Sequence, residues 1–469
     1  MRIVHLLVGP LLFFLCYTLL PTSFFETAAA RGAIGTIAWM AYWWVTGPID
    51  FAVTALLPIT LNAIFMMCDM SLIIANYANE TIMLLLGASL ITAAWEVSGL
   101  DKRIASMFLM LIGNSLRGQI AFWFILTAVL SAVLPNAVVC AAITPIAVSM
   151  LKYVGITDIA ESRTGSMILM TIAYGAGVGG MATPLGGAMN LVTVQYLQDL
   201  TGEEFIYMHW VVRFLPLMII LVVSNIIYLL LCCKKGESLG GSRDYFAEKY
   251  KSMGKMSFEE KWALALFVVA TVLAFTRQFY QTLLPGLKPA YVFITCAILA
   301  FVVMRRDGTR LIRWKSAEKK VIWDLLYIFA GGLAAGTLIN ETGAAAAIGA
   351  AMDSIGLNGG FMTVLVIVTV TLLMSDMTSN TATAAVAMPI VISIVSGIGL
   401  NPIPYIYVAT IGVNISYMLP TSIRAIPVGY GLEPKFMLKK GVGMTIMVIL
   451  LMSVASWLCV EYWPAFSTI

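Results

Sequence analysis

Between residues 361 and 400 a long apolar run is interrupted by SDMTSNTAT, which places Ser375, Asp376, Thr378, Ser379, Asn380, Thr381 and Thr383 within nine residues. Its flanks, FMTVLVIVTVTLLM and VISIVSGIGL, suit a lipid environment. Inside a bilayer an uncompensated polar group costs several kcal/mol, so such a cluster persists only where protein or a bound solute satisfies it. The stretch therefore reads as two helical arms with a buried polar tip between them. An earlier stretch, LSAVLPNAVVCAAITPI, reads the same way and breaks at Pro135-Asn136. Asn136 and Asn380 stand 244 apart (380 − 136), as do Pro145 and Pro389 (389 − 145). Gly87 with Gly331 and Gly99 with Gly343 keep that offset, which predicts a structural duplication.

Composition puts these hairpins in a membrane. The 469 residues are 60% hydrophobic and 11% charged, with mean hydropathy +0.93, whereas soluble domains carry about 25% charged residues. The expectation is an all-α polytopic membrane protein of about eleven transmembrane helices plus two re-entrant helical hairpins. Spans are expected over 3–20, 33–45, 51–67, 80–97, 211–231, 262–275, 290–304, 323–340 and 441–462. The hairpins cover 119–150 and 360–395, each made of two half-depth helices. Two further segments, 166–197 and 405–419, run into breaks at GVGGMATPLGG and PTSIRAIP. The chain thus divides into an N-terminal span (1–28), a first repeat (29–233), a hydrophilic cytoplasmic linker (234–261) and a second repeat (262–469). The basic start followed by a long apolar run reads as an uncleaved first span, not a signal peptide.

Charge sets the orientation. Lys102-Arg103, Lys152, the linker, the loop RRDGTRLIRWKSAEKK and Lys435 to Lys440 belong on the cytoplasmic side, and Glu203-Glu204 outside. With eleven passes the N-terminus is cytoplasmic, the C-terminus is outside, and the repeats are inverted. One tip then enters from each side of the cell's inner (plasma) membrane, and the two meet near the midplane, as in secondary transporters.

At each break the following helix offers free N–H groups and the positive end of its dipole, which favour an anion. The preceding arm offers carbonyls, which with Ser, Thr and Asn oxygens suit Na⁺. The sequence shows no His/Asp/Ser grouping, HExxH or P-loop, which argues against a membrane-embedded enzyme, and no large soluble domain, which argues against a receptor. The seven cysteines make no metal or disulfide pattern, so no cofactor is expected. Asp376 either faces the site or sits at an accessible rim. Glu96 and Asp324 read as span-end features. Arg424, inside the second interrupted segment, reads either as a snorkelling arginine or as a counter-ion able to grip a carboxylate.

TSNTATAAVAMPI resembles the Ser-Asn-Thr hairpin motif of the divalent-anion:sodium symporter family, the INDY-type di- and tricarboxylate carriers. WWVTGPIDFAVTALLPI, YANETIMLLLGASLITAAWEVSGLDKRIA and GGMATPLGGAMN resemble it as well, so the likeness covers nearly the whole chain. The resemblance implies a homodimer, with scaffold and transport domains in each protomer working as an elevator. It also implies Na⁺ as coupling ion, a small organic anion as substrate and no nucleic-acid partner. By motif position, one Na⁺ site would use Ser131, Asn136 and Gly186, and the other Ser375, Thr378, Asn380 and Ser422. Substrate would meet Asn136, Ala137, Gly187, Asn380, Thr381, Thr383, Ile423 and Arg424.

This chain departs from the pattern in three places. Its first motif is Pro135-Asn136-Ala137, two hydroxyls short of Ser-Asn-Thr. The family's Thr-Pro-Pro-Asn loops appear as Gly187-Ala188-Met189-Asn190 and Ile423-Arg424-Ala425-Ile426. An arginine at 424 suggests a fixed cation that replaces part of the sodium charge or holds a more highly charged anion. The function expected is Na⁺-coupled transport of di- or tricarboxylates such as succinate, malate, fumarate or citrate. The alternatives are a Na⁺-independent exchanger and a carrier of an inorganic anion such as sulfate.

Overall fold

A computed structural model describes residues 2–233, 236–305, 308–352 and 358–469. The start of the expected linker, Lys234 and Lys235, and Arg306 and Asp307 of the basic loop lie outside the described residues. Among the described residues regular structure is helical, and extended pairing is limited to two isolated bridges, Ser115 with Ser238 and Met304 with Arg310.

The chain begins with α1 (Arg2–Leu19) and α2 (Ala28–Thr46). The span expected over 51–67 is instead two short helices, Phe51–Thr54 and Leu57–Phe65. Pro58 explains the restart: it has no N–H to offer the turn before it and is well suited to a helix start. The first repeat runs through α3 (Glu80–Ser98), the short helix Leu100–Leu109, α4 (Leu116–Ser131), α5 (Asn136–Tyr153), α6 (Arg163–Gly179), α7 (Ala188–Thr201) and α8 (Tyr207–Cys232). After α9 (Phe258–Phe275) and α10 (Pro289–Val302) the same order returns. It comprises α11 (Trp323–Glu341), the short helix Ala344–Met352, α12 (Phe361–Met377), α13 (Asn380–Gly397), α14 (Pro402–Asn414) and α15 (Pro434–Tyr462).

The four sequence anchors of the duplication have matching structural roles. Gly99 (φ 79°) and Gly343 (φ 77°) end α3 and α11 in the left-handed conformation that glycine adopts at little cost. Gly87 and Gly331 let a neighbour approach closely. A Cβ on Gly87 would come within 2.9 Å of the Ile294 backbone nitrogen, and one on Gly331 would strike the Ala55 carbonyl. Pro145 and Pro389 lie inside α5 and α13.

One expectation needs correction. The hairpin arms are longer than the half-depth expected of them: α4 and α12 have 16 and 17 residues, and α5 and α13 have 18 each, the latter about 27 Å at roughly 1.5 Å per residue, close to the ~30 Å hydrocarbon thickness. The latter two are among six helices, of those described, that are long and apolar enough to cross a membrane; several other apolar helices have 10–17 residues. The linker packs against the helices. It folds into the helix Ser242–Ser252, whose Phe246 meets Trp123 (6.1 Å between ring centroids) and whose Ser242 hydroxyl accepts from Gln119 (3.0 Å). Just beyond it, Arg103 is bound to the carbonyls of Met253 and Gly254 and to Glu260 (2.7 Å).

Among the described residues, apolar side chains form two cores. The smaller joins α1, α2 and the short helices after them to α11 and to Ala382, Ala385 and Val386 of α13. The larger holds both interrupted segments and the rest of the hairpins.

Candidate functional site

The two tips are built alike. Pro135 precedes α5 and Ser379 caps α13, its Oγ accepting from Ala382 N (3.1 Å), so Asn136 and Asn380 each open a helix. The first turn of each helix leaves N–H groups free at the break. Each hairpin is stitched to its interrupted segment by the same pair of bonds. Ser131 Oγ donates to Ala176 O (2.7 Å), and Ser375 Oγ donates to Val413 O (2.8 Å). Thr183 Oγ1 donates to Ala132 O (2.6 Å), and Thr421 Oγ1 donates to Asp376 O (2.8 Å). The hairpin partners are 244 residues apart and the threonines 238 (421 − 183). On the threonine spacing, with which the short turns Pro184–Gly186 and Ser422–Arg424 are in register, Arg424 is the counterpart of Gly186 (424 − 186), not of Ala188 as the motif loops pair it in the sequence; on the hairpin spacing Asp376 is that of Ala132 (376 − 132).

At the first tip the expected residues come together. Asn136 is 8% exposed and faces the glycines of the interrupted segment: a Cβ on Gly180 would lie 3.4 Å from Asn136 Cβ, and one on Gly187 3.7 Å from its amide nitrogen. A Cβ on Gly186 would strike Gly180 O and lie 2.7 Å from Ser131 O. The carbonyls of Ser131 and Gly180 thus crowd around Gly186, a set of neutral oxygens of the kind that holds Na⁺. Ala137 is half-buried beside them.

At the second tip Asn380 (4% exposed) and Thr381 are buried, while Thr383 is occupied by a bond to Thr378 (2.7 Å between hydroxyls). Asn380 donates to Asn414 O (3.4 Å), and Ser416 Oγ approaches Asn380 Oδ1 (3.5 Å). Asn414 Nδ2 donates to Asn190 Oδ1 (2.8 Å), and Asn190 donates to Gly180 O (2.7 Å) and Thr183 O (2.8 Å). An unbroken polar chain therefore runs from the second tip to the first. Cys140 of α5 reaches Ile423 O (3.5 Å), which sets the first hairpin against the second loop. The sequence reading missed Asn414 and Ser416. The only trace of them is a pair of polar residues at the end of an apolar helix.

Arg424 is not a snorkelling residue: it is 1% exposed. Its Nε donates to Leu419 O (2.7 Å) and Nη2 to Thr421 Oγ1 (2.6 Å) and Ser375 O (3.5 Å), while Nη1 donates to Ser416 Oγ. Asp376 is neither at a rim nor an open site ligand. It is fully buried, its Oδ1 accepts from Tyr417 N and Met418 N (both 2.8 Å), and it lies 3.6 Å from Arg424 Nη2. Ser422, expected at a sodium site, is exposed in a left-handed conformation (φ 51°), and Ser416, two residues after the end of α14, is the serine of this loop that reaches Asn380. Glu96 pairs with Lys320 (2.6 Å).

Known proteins share this architecture and sequence. The chain is 29% identical over 448 residues to the sodium-dependent dicarboxylate transporter SdcS of Staphylococcus saprophyticus, covering 92% of this chain and 86% of that protein. It is 29% identical over 453 residues to the SdcS of Staphylococcus aureus strain MSSA476, covering 92% and 85%. The crystal structure of the Alcanivorax borkumensis YdaH transporter is similar in fold, with a TM-score of 0.52 at 12% identity over 83% of this chain and 86% of that one. The family described as citrate transporter matches residues 41–412. The chain, with its paired tips and the Ser-Asn-Thr motif at the second, belongs to that family of transporters.

Proposed function

We propose that the protein is a secondary active transporter that carries small organic dianions or trianions together with Na⁺. The observation that carries this reading is the pair of tips. Two helix N-termini, opened by Asn136 and Asn380, bracket one polar chain, and the carbonyls at Gly186 add a sodium-like oxygen set. The names of the relatives, a sodium-dependent dicarboxylate transporter and a citrate transporter, point to the same substrate class. Substrate carboxylates would take the free N–H groups at Asn136-Ala137 and Asn380-Thr381, beside the loops at Gly187 and Ile423. Two carboxylates placed between two positive dipole ends account for a preference for divalent anions.

Alternating access would proceed as an elevator. The hairpins, α6, α7, α8, α14 and α15 move against a scaffold built from the remaining helices, within a homodimer in the inner membrane, with the N-terminus cytoplasmic and the C-terminus outside. Exchange without Na⁺ is the competing mode, favoured by the loss of hydroxyls at Pro135 and Ala137. Purified protein in liposomes would separate the two. An inward sodium gradient should drive uptake of labelled succinate, with citrate competing and sulfate not. Uptake indifferent to sodium but stimulated by internal dicarboxylate would establish exchange in its place.

A further inference from the structure

Two bonds recur in the two hairpins, Ser131 to Ala176 O with Ser375 to Val413 O and Thr183 to Ala132 O with Thr421 to Asp376 O, and beside them two positions that touch each other differ. Where the first repeat has Ala132 and Gly186, the second has Asp376 and Arg424, 3.6 Å apart and both fully enclosed. In the first repeat the space at Gly186 is bounded by the carbonyl of Ser131. In the second, the equivalent carbonyl, Ser375 O, faces the Arg424 guanidinium at 3.5 Å. The same guanidinium also takes the Ser416 and Thr421 hydroxyls. Oxygens that could coordinate a metal cation here therefore already accept N–H donors from a charged side chain, whereas at the first tip Gly180 O accepts from the neutral Asn190 amide. A sodium ion placed there would meet a like charge and would have to displace those bonds.

We propose that Arg424 is a built-in cation at the second tip, so that this chain takes one sodium ion, at the first tip, rather than the two implied by family resemblance. The inference rests on the carrier reading above but concerns only the count of ions. The donors of Arg424 are committed to protein acceptors, which gives it a positioning role at the tip in place of the bidentate grip on substrate that its sequence suggests. Asp376 makes the replacement electrically neutral. A bound sodium would add one positive charge to the moving unit, whereas the Asp376–Arg424 pair adds none. Transport of a dianion with one sodium then carries one net negative charge, so an inside-negative potential opposes uptake and favours outward or exchange movement.

Equilibrium binding of radiolabelled sodium to the purified protein, without substrate, counts the sites directly. The native chain should saturate at one ion, and the sodium-to-dicarboxylate flux ratio in liposomes should also be one. Saturation at two ions, or no saturable sodium, overturns the inference. The double variant Asp376→Ala/Arg424→Gly copies the first repeat into the second and should bind a second ion; a folded double variant that still binds one also overturns it. If the variant does not fold, the native count decides. Failure of the carrier reading looks different: sodium still saturates at one ion but no dicarboxylate moves.

Discussion

Asn414 joins the two tips through both its backbone and its side chain. Its backbone carbonyl accepts from Asn380 and its side-chain amide nitrogen donates to Asn190, so it is the central link between the tips. Replacement by Ala would leave the Asn190 oxygen unpaired in a fully buried place. The expected loss is about 1–3 kcal/mol of stability, the usual cost of an orphaned polar group, together with reduced uptake. A thermal unfolding midpoint measured beside initial uptake rates checks this, and a variant as stable and active as the native protein would remove Asn414 from the link. Legibility at this scale is uneven. Asn136, Gly186, Gly187, Asn380 and Thr381 stand out in the sequence because each interrupts an apolar run or belongs to a motif. Asn414 and Ser416 do not, because their importance depends on which loop folds over them. Arg424 stands out as a charge, but its partner Asp376 lies on a different helix, and only the fold pairs them.

Among the elements, α11 and α13 are in unusually close contact. A Cβ on Gly332 would fall on the Ala385 side chain, so a glycine is required for this approach. In the elevator reading these helices belong to the scaffold and to the moving unit. Gly332→Leu would wedge them apart, and uptake should fall at least tenfold, by analogy with overpacking costs of about 1–3 kcal/mol, while the protein still reaches the membrane. Full transport by Gly332→Leu would mean that the contact does not bear on movement. Most helices fall within a few residues of where hydropathy puts them, because a bilayer rewards long apolar runs bluntly. The misses have local causes. Pro58 splits one span, and α5 and α13 run beyond half-depth because the residues after Pro145 and Pro389 remain apolar and helical. The helix Ser242–Ser252 escapes hydropathy because it is polar and is held by a few buried side chains such as Phe246.

For the whole molecule, the distribution of basic loops makes a testable map. Glu203→Cys should react with an impermeant maleimide on intact cells, and Lys315→Cys only after permeabilisation, in a background freed of native cysteines. The reverse pattern would invert the assigned topology. The duplication itself is legible from four pairs of residues at one spacing, and the structure gives the members of each pair similar places. The sequence could not show that the likeness reaches individual hydrogen bonds, since the interrupted segments follow a different spacing from the hairpins.

The Asp376–Arg424 pair finally bears on descent. If both halves began as copies, the second acquired an acid and a base where the first kept Ala132 and Gly186. Neither change is easily tolerated alone, because one buried charge without its partner costs about 3–5 kcal/mol, a large part of the roughly 5–15 kcal/mol that holds a typical fold. The two substitutions form a ratchet: once both are in place, reverting either one strands the other. A lineage that crossed this step would find its ion requirement hard to restore by single mutations, so charge stoichiometry in such a branch should be inherited as a block.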